Sequence, residues 1–331
     1  PETSVGGAMV TLLSWASALH VPSALLGLQG VDASGKLVSA ALQKHGVSDA
    51  WVVASPDFTT AESHVFAEDG NLGKASTVMS TGSTSLINVQ RMRKHFVPAL
   101  RTAGVCVAEI GSVPCAAVAK LLEEAKSKQR LSLLAVDMLP TTVIGDSRLG
   151  TLEELQACIM NANVLMQPRD VAEQLLYMTA DDAMAYEDTL SLPTTELASL
   201  LRSSTGVDLV AIIDGHVGTK GCVLATLGAS VHIPPVGACA ESARDTAAAA
   251  AVGADSFSGA GAQPGVPIVP LVHDAGVAHA FYGGLLSALY HAGGVPTEVS
   301  AITQAGNMAN ATTSACLRCD SWAYSFSCAG L

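Results

Sequence analysis

The residues predict an α/β fold built on a mostly parallel, doubly wound sheet. Strand, helix and strand alternate over Val105–Ile110, Pro114–Lys128 and Leu131–Val136, the order that builds a parallel sheet through crossover helices. Leu131–Val136 and Leu209–Asp214 are continuous apolar runs without alternation, as expected of strands covered on both faces. Hydrophobic residues make up 49% of the 331 and charged ones 14%, which suits a large buried core.

Taken in order, Gly6-Gly7 leads into a helix carrying Leu12, Leu13, Trp15, Ala16 and Leu19 on one side. Ala24 opens a strand that ends in Gly30, and Asp32 caps the helix that follows. Between Trp51 and Gly82 the period shortens to two. Val65 and Ala67, then Asp69-Gly70, then Ala75, Thr77 and Met79 read as a hairpin, with His64 facing solvent or a partner. Val89–Leu100 reads as one amphipathic helix with a basic face, and Leu152–Ile159 as another helix. Gly215–Gly221 is a Gly-bearing loop between the strands Leu209–Ile213 and Cys222–Leu227. Gly237–Gly265, rich in Ala, Gly and Ser, reads as an inserted loop. Next come an apolar run (Ile268–Val272), a small-residue turn (Asp274–Ala278) and a helix striped by Phe281, Leu285, Leu286 and Leu289. Strand, turn and helix start in that sequence make an anion site, because unpaired amides and the helix dipole converge there.

Composition narrows the function. The net charge of −12 opposes broad binding to a phosphate backbone, and the densest basic cluster is only Arg91-Met92-Arg93-Lys94-His95. The eight cysteines are scattered, mostly inside apolar runs, which is the usage of free thiols in a reducing compartment. Cys316 and Cys319 have metal-ligand spacing but no second pair, so no metal site is expected. No apolar run is long enough to suggest a membrane span.

Several of these segments, in the same order, resemble the motifs of the ribokinase (PfkB) family of sugar and nucleoside kinases. Gly27, Gly30, Asp32 and Gly35 fall in register with the family's Gly-x-Val-Gly-x-Asp-x-x-Gly. Gly6 and Gly7 match its Gly-Gly motif, with Thr11 where Asn is expected. Gly218 and Gly221 match the nucleotide loop, with His216 for its Thr, and Asn310 matches the Asn of the final Ala-Asn-Ala helix. The family's Gly-Ala-Gly-Asp reads Gly276-Val277-Ala278-His279 here. The resemblance implies a single ribokinase-like domain over residues 1–331 that lacks the family's opening strand. It further implies a small β-lid at roughly 55–84 and an insertion at 237–265.

In that family the Asp accepts the substrate's proton, the Gly-Ala-Gly amides hold the transferred phosphoryl group, and an Asn-x-x-Glu orders Mg²⁺. Here an imidazole replaces the base, and Ala278 brings a Cβ to the phosphate approach. The register set by Leu175 and Leu176 puts Pro168 and Val171 at the metal motif, and a shift by one puts Gln167 and Asp170 there. Gly6, Gly7, Thr11 and Asp32 remain of the sugar site; Gly276, Val277, Ala278, Gly218, Gly221 and Asn310 remain of the anion and nucleotide sites. These departures lead to the expectation of an inactive pseudokinase without metal or cofactor. Its partners would be proteins in a multi-subunit complex, such as an organellar ribosome or ribosome-assembly particle, in the cytoplasm or mitochondrial matrix. The alternative is an ATP- and Mg²⁺-dependent sugar or nucleoside kinase using His279 as base.

Overall fold

A computed structural model describes residues 5–68, 71–80, 82–146, 149–179, 186–215, 220–236 and 274–317. The inserted loop at 237–265, the apolar run Ile268–Val272, the Asp69-Gly70 turn and Gly218 lie outside the described residues.

Helix α1 (Ala8–Ala18) starts after Gly7, whose φ of 102° suits a residue without a Cβ. Strand β1 (Ser23–Gly30), helix α2 (Ala33–Lys44) and strand β2 (Val47–Ser55) form a βαβ unit, with β1 and β2 paired in parallel as a two-stranded sheet. Asp32 caps α2 by accepting from the Gly35 amide at 2.8 Å. The predicted hairpin is present as β3 (Glu62–Glu68) and β4 (Asn71–Ser80), antiparallel with Glu62 opposite Ser80, and His64 is exposed.

The single helix predicted over Val89–Leu100 is broken instead. One α-turn (Val89–Arg91) passes into a π-turn (Met92–Phe96) and a 3₁₀ turn (Val97–Arg101). Pro98 has no amide to donate to the preceding turn, so a regular α ladder cannot run through it.

From there strands and helices alternate: β5 (Val105–Ile110), α3 (Cys115–Ser127), β6 (Leu131–Val136), α4 (Leu152–Met160), β7 (Val164–Pro168) and α5 (Arg169–Thr179). Then come α6 (Tyr186–Ser191), α7 (Thr194–Thr205), β8 (Leu209–Ile213), β9 (Cys222–Ala225), β10 (Ser230–Ile233), α8 (Asp274–Ala292) and α9 (Val299–Leu317). Helix α4 opens on a reciprocal capping box between Thr151 and Glu154. The six-stranded sheet runs β10-β9-β8-β7-β6-β5, with β5 to β8 parallel and β9 and β10 antiparallel.

Alternate residues of these strands feed two cores. Leu134, Val136, Leu165, Val210 and Ile212 pack with Val118, Leu122, Leu155, Leu175 and Leu197 from α3, α4, α5 and α7. Leu133, Ala135, Val164, Met166 and Ala211 pack with Leu12, Phe281, Leu285, Ile302 and Ala309 from α1, α8 and α9. The period of two thus sorts each strand between two helical layers.

Helix α8 is held by two adjacent glycines that face different neighbours. A Cβ on Gly283 would stand 2.7 Å from the Trp15 Cβ and 2.8 Å from the Leu12 carbonyl of α1. One on Gly284 would stand 2.9 Å from the Ala309 Cα of α9. Further along, His291 Nε2 is 3.2 Å from the Leu19 carbonyl, so α1 and α8 run parallel and start at the same end of the molecule.

Candidate functional site

Side chains at the carboxyl ends of parallel strands face the crevice where ligands bind in open α/β sheets. Here Glu109 lies near the end of β5, Asp137 follows β6, Gln167 lies near the end of β7 and Asp214 follows β8. The start of α8 comes to the same place. Its helix already includes Gly276, Val277 and Ala278, which corrects the expectation of a turn over Asp274–Ala278. Only the first four amides of a helix lack an internal acceptor, so the Ala278 amide, four residues after Asp274, is spent within α8. Val277 is buried, Ala278 packs on the α1–α8–α9 core, and the Gly276 carbonyl meets the Cys316 thiol at 3.8 Å.

His279, with 6% of its surface exposed, points at the end of β6. Its Nε2 lies 2.8 Å from Asp137 Oδ2, off the line of a well-formed hydrogen bond, so the contact is chiefly electrostatic. One turn on, the Tyr282 hydroxyl donates to Asp137 Oδ1 at 2.5 Å, and the two rings meet edge to face at 5.9 Å. One carboxylate therefore holds two side chains of α8. Burial, then the charge of Asp137 and its hydrogen bond, pushes the Tyr282 hydroxyl well above its usual range; Asp170 and Glu109 add to this. Glu109 keeps some accessible surface, yet burial raises its carboxyl to about 7. His279 opposes that rise and Asp137 adds to it.

The remaining site residues predicted from sequence divide. Gly6 and Gly7 face open space at the start of α1, beside the start of α8, while the Thr11 hydroxyl donates to the Gly7 carbonyl at 3.2 Å. Asp32 is elsewhere, at the root of the hairpin. It accepts from the Thr60 hydroxyl (2.6 Å) and amide (2.9 Å) as well as from Gly35, and these bonds, the Thr60 hydroxyl first, hold its carboxyl below the usual range. Asn310 is buried and its amide donates to the Ile233 and Pro234 carbonyls at 3.3 and 2.9 Å, tying α9 to β10. Gly221, at φ 87°, packs beneath the same Ile233–Pro234 backbone. Both residues hold the sheet edge in place.

At the metal motif, Val171 belongs to the hydrophobic core, Asp170 is exposed, and the fully buried Gln167 amide makes no hydrogen bond. Among the described residues no three His, Cys, Asp or Glu side chains gather to hold a metal ion. In the sequence Asp137 directly follows the apolar run Leu131–Val136, which by itself gives it no role, and Glu109 and Tyr282 were missed. A Glu inside the apolar run Val105–Ile110, and a Tyr three residues after His279, were the available signals.

No protein-family model matches the chain, and no curated protein sequence does. Solved structures do. A carbohydrate kinase from Agrobacterium tumefaciens superposes with TM-score 0.65 at 16% identity, covering 96% of this chain and 81% of its own. An aminoimidazole riboside kinase from Salmonella enterica, complexed with aminoimidazole riboside and an ATP analog, gives 0.62 at 16%, covering 96% and 89%. Fructokinase from Xylella fastidiosa, with bound ATP, gives 0.61 at 14%, covering 93% and 82%. With a mostly parallel sheet between two helical layers and a β-hairpin beside it, the chain has the ribokinase-like fold of the PfkB carbohydrate kinases.

Proposed function

We propose that this chain is a ribokinase-like protein that binds partners instead of transferring phosphoryl groups. The observation that carries this reading is the engagement of His279. The side chain in the position of the family's catalytic base is an imidazole, and it lies against Asp137, whose other oxygen is taken by Tyr282. Phosphoryl transfer depends on a positioned base and on amides and cations around the moving phosphate. Here the imidazole lies against Asp137, Ala278 packs on the core between α1, α8 and α9, and Val171 is sunk in the opposite core. The partners we infer are proteins of a larger assembly, for which an organellar ribosome or ribosome-assembly particle is the working case. The net charge of −12 favours protein contacts over direct contacts to RNA. The test is turnover of ATP and Mg²⁺ with a panel of ribose-like sugars and nucleosides. We expect none above background, and turnover lost in His279→Ala overturns the reading.

A second reading rests on the same contact. A carboxylate beside an imidazole is also how a general base is oriented. As a kinase the chain would use the His279–Asp137 pair to accept the proton of a sugar hydroxyl, with ATP and Mg²⁺ as cofactors. That reading requires Asp137→Asn to cut kcat at least tenfold while leaving the KM for ATP within twofold.

A further inference from the structure

At the opposite end of the sheet from His279, the last turns of α7 and the β9–β10 hairpin enclose an open cleft of about 260 Å³. Ser199, Arg202 and Ser203 line one wall from successive turns of α7, and the turn Thr226–Ser230 lines the other. The cation is the unusual feature. Arg202 Nε is buried without a hydrogen bond, and among the described residues the guanidinium has no salt bridge. No acidic side chain lines the cleft, in a chain of net charge −12. With Nε enclosed, the terminal guanidinium nitrogens are the donors that a carboxylate or phosphate in the cleft would meet.

The hydroxyls distinguish between those two anions. Ser199 donates to the Thr195 carbonyl, Ser203 to the Ser199 carbonyl and Ser230 to the Thr195 carbonyl, at 2.8, 2.9 and 2.9 Å. Thr226 donates to the Ala229 carbonyl at 3.4 Å. With their protons on backbone carbonyls, these oxygens keep lone pairs free to accept. Phosphate, with acceptors on every side, would meet lone pairs. A carboxylate with a hydroxyl or ammonium on the next carbon would place its oxygens on Arg202 and its donor among the serine oxygens. The volume suits a molecule of a few heavy atoms, below the range of about 300–1,000 Å³ of drug-sized sites.

We propose that this cleft is a binding site for a small α-hydroxy or α-amino carboxylate, held by Arg202 and the oxygens of Ser199, Ser203 and Ser230. It stands independently of what happens at His279.

Titration calorimetry with lactate and with serine as probes, and acetate and phosphate as controls, tests it. We expect saturable binding of lactate, of serine or of both, at least tenfold tighter than either control. Binding should fall at least tenfold in Arg202→Gln and in the charge-conserving Arg202→Lys, which loses the fork. Ser203→Ala should weaken the better probe while leaving acetate unchanged. Thermal melts of each variant identify any that fail to fold, and Ser203→Ala, on an exposed position, then carries the test. The proposal is overturned if neither probe saturates, if phosphate or acetate binds as tightly, or if folded variants bind like the parent.

Discussion

At residue 279, in the second turn of α8, the sequence supplies an imidazole beside the Asp137 carboxylate. Restoring the family residue with His279→Asp would set two carboxylates against each other. Like charges raise a carboxyl's pKa in the folded state, so the variant should lose stability above that raised pKa and recover as pH falls. Its melting temperature, compared with the parent, should drop more at pH 7.5 than at pH 4.5. Tyr282→Phe deletes the donor to Asp137 Oδ1 and should cost roughly 1–3 kcal/mol in denaturant unfolding, the usual cost of stranding a buried polar partner. Glu109 gives a pH test of its own. Its folded pKa of about 7 lies above the ordinary 4.5, so its contribution is complete below about 4.5 and is lost as pH rises through 7. Glu109→Gln does not titrate. Its stability advantage over the parent should therefore grow between pH 4.5 and 7 and level off beyond, as read by thermal melts across pH.

Among the elements, the hairpin root and the α8 crossing make the sharpest cases. Asp32 both caps α2 and fixes Thr60 at the entry to β3, so Asp32→Ala should lower the melting temperature. Amide exchange should quicken around Thr60 and the start of α2; unchanged exchange there would refute that double role. The periodicity made most elements readable. Strands β5, β6 and β8 and helices α3 and α4 follow from apolar runs, helical periodicity and a proline start, all local signals. The Val89–Leu100 segment was misread because one residue, Pro98, outweighs an amphipathic pattern. At the site, the positions were readable but their partners were not. That Asp137 meets Tyr282 across 145 residues, or that Asn310 serves the β10 edge, depends on tertiary packing that no window of sequence contains.

For the whole molecule, two apolar layers clamp the six-stranded sheet, whereas among the described residues β1 pairs only with β2 and β3 only with β4. Hydrogen exchange should rank these parts, with β6 to β8 the most protected and β1 to β4 opening at lower free energy. The cores also bear on how the molecule could be remade. Gly283 and Gly284 seat α8 on its two neighbours one turn beyond His279. His279 can therefore be exchanged without displacing the shaft, provided the new side chain suits Asp137, whereas Val277 and Ala278 are fixed by the core. A library randomised at His279 together with Asp137 would sample new ligands on a frame that two glycines keep in register.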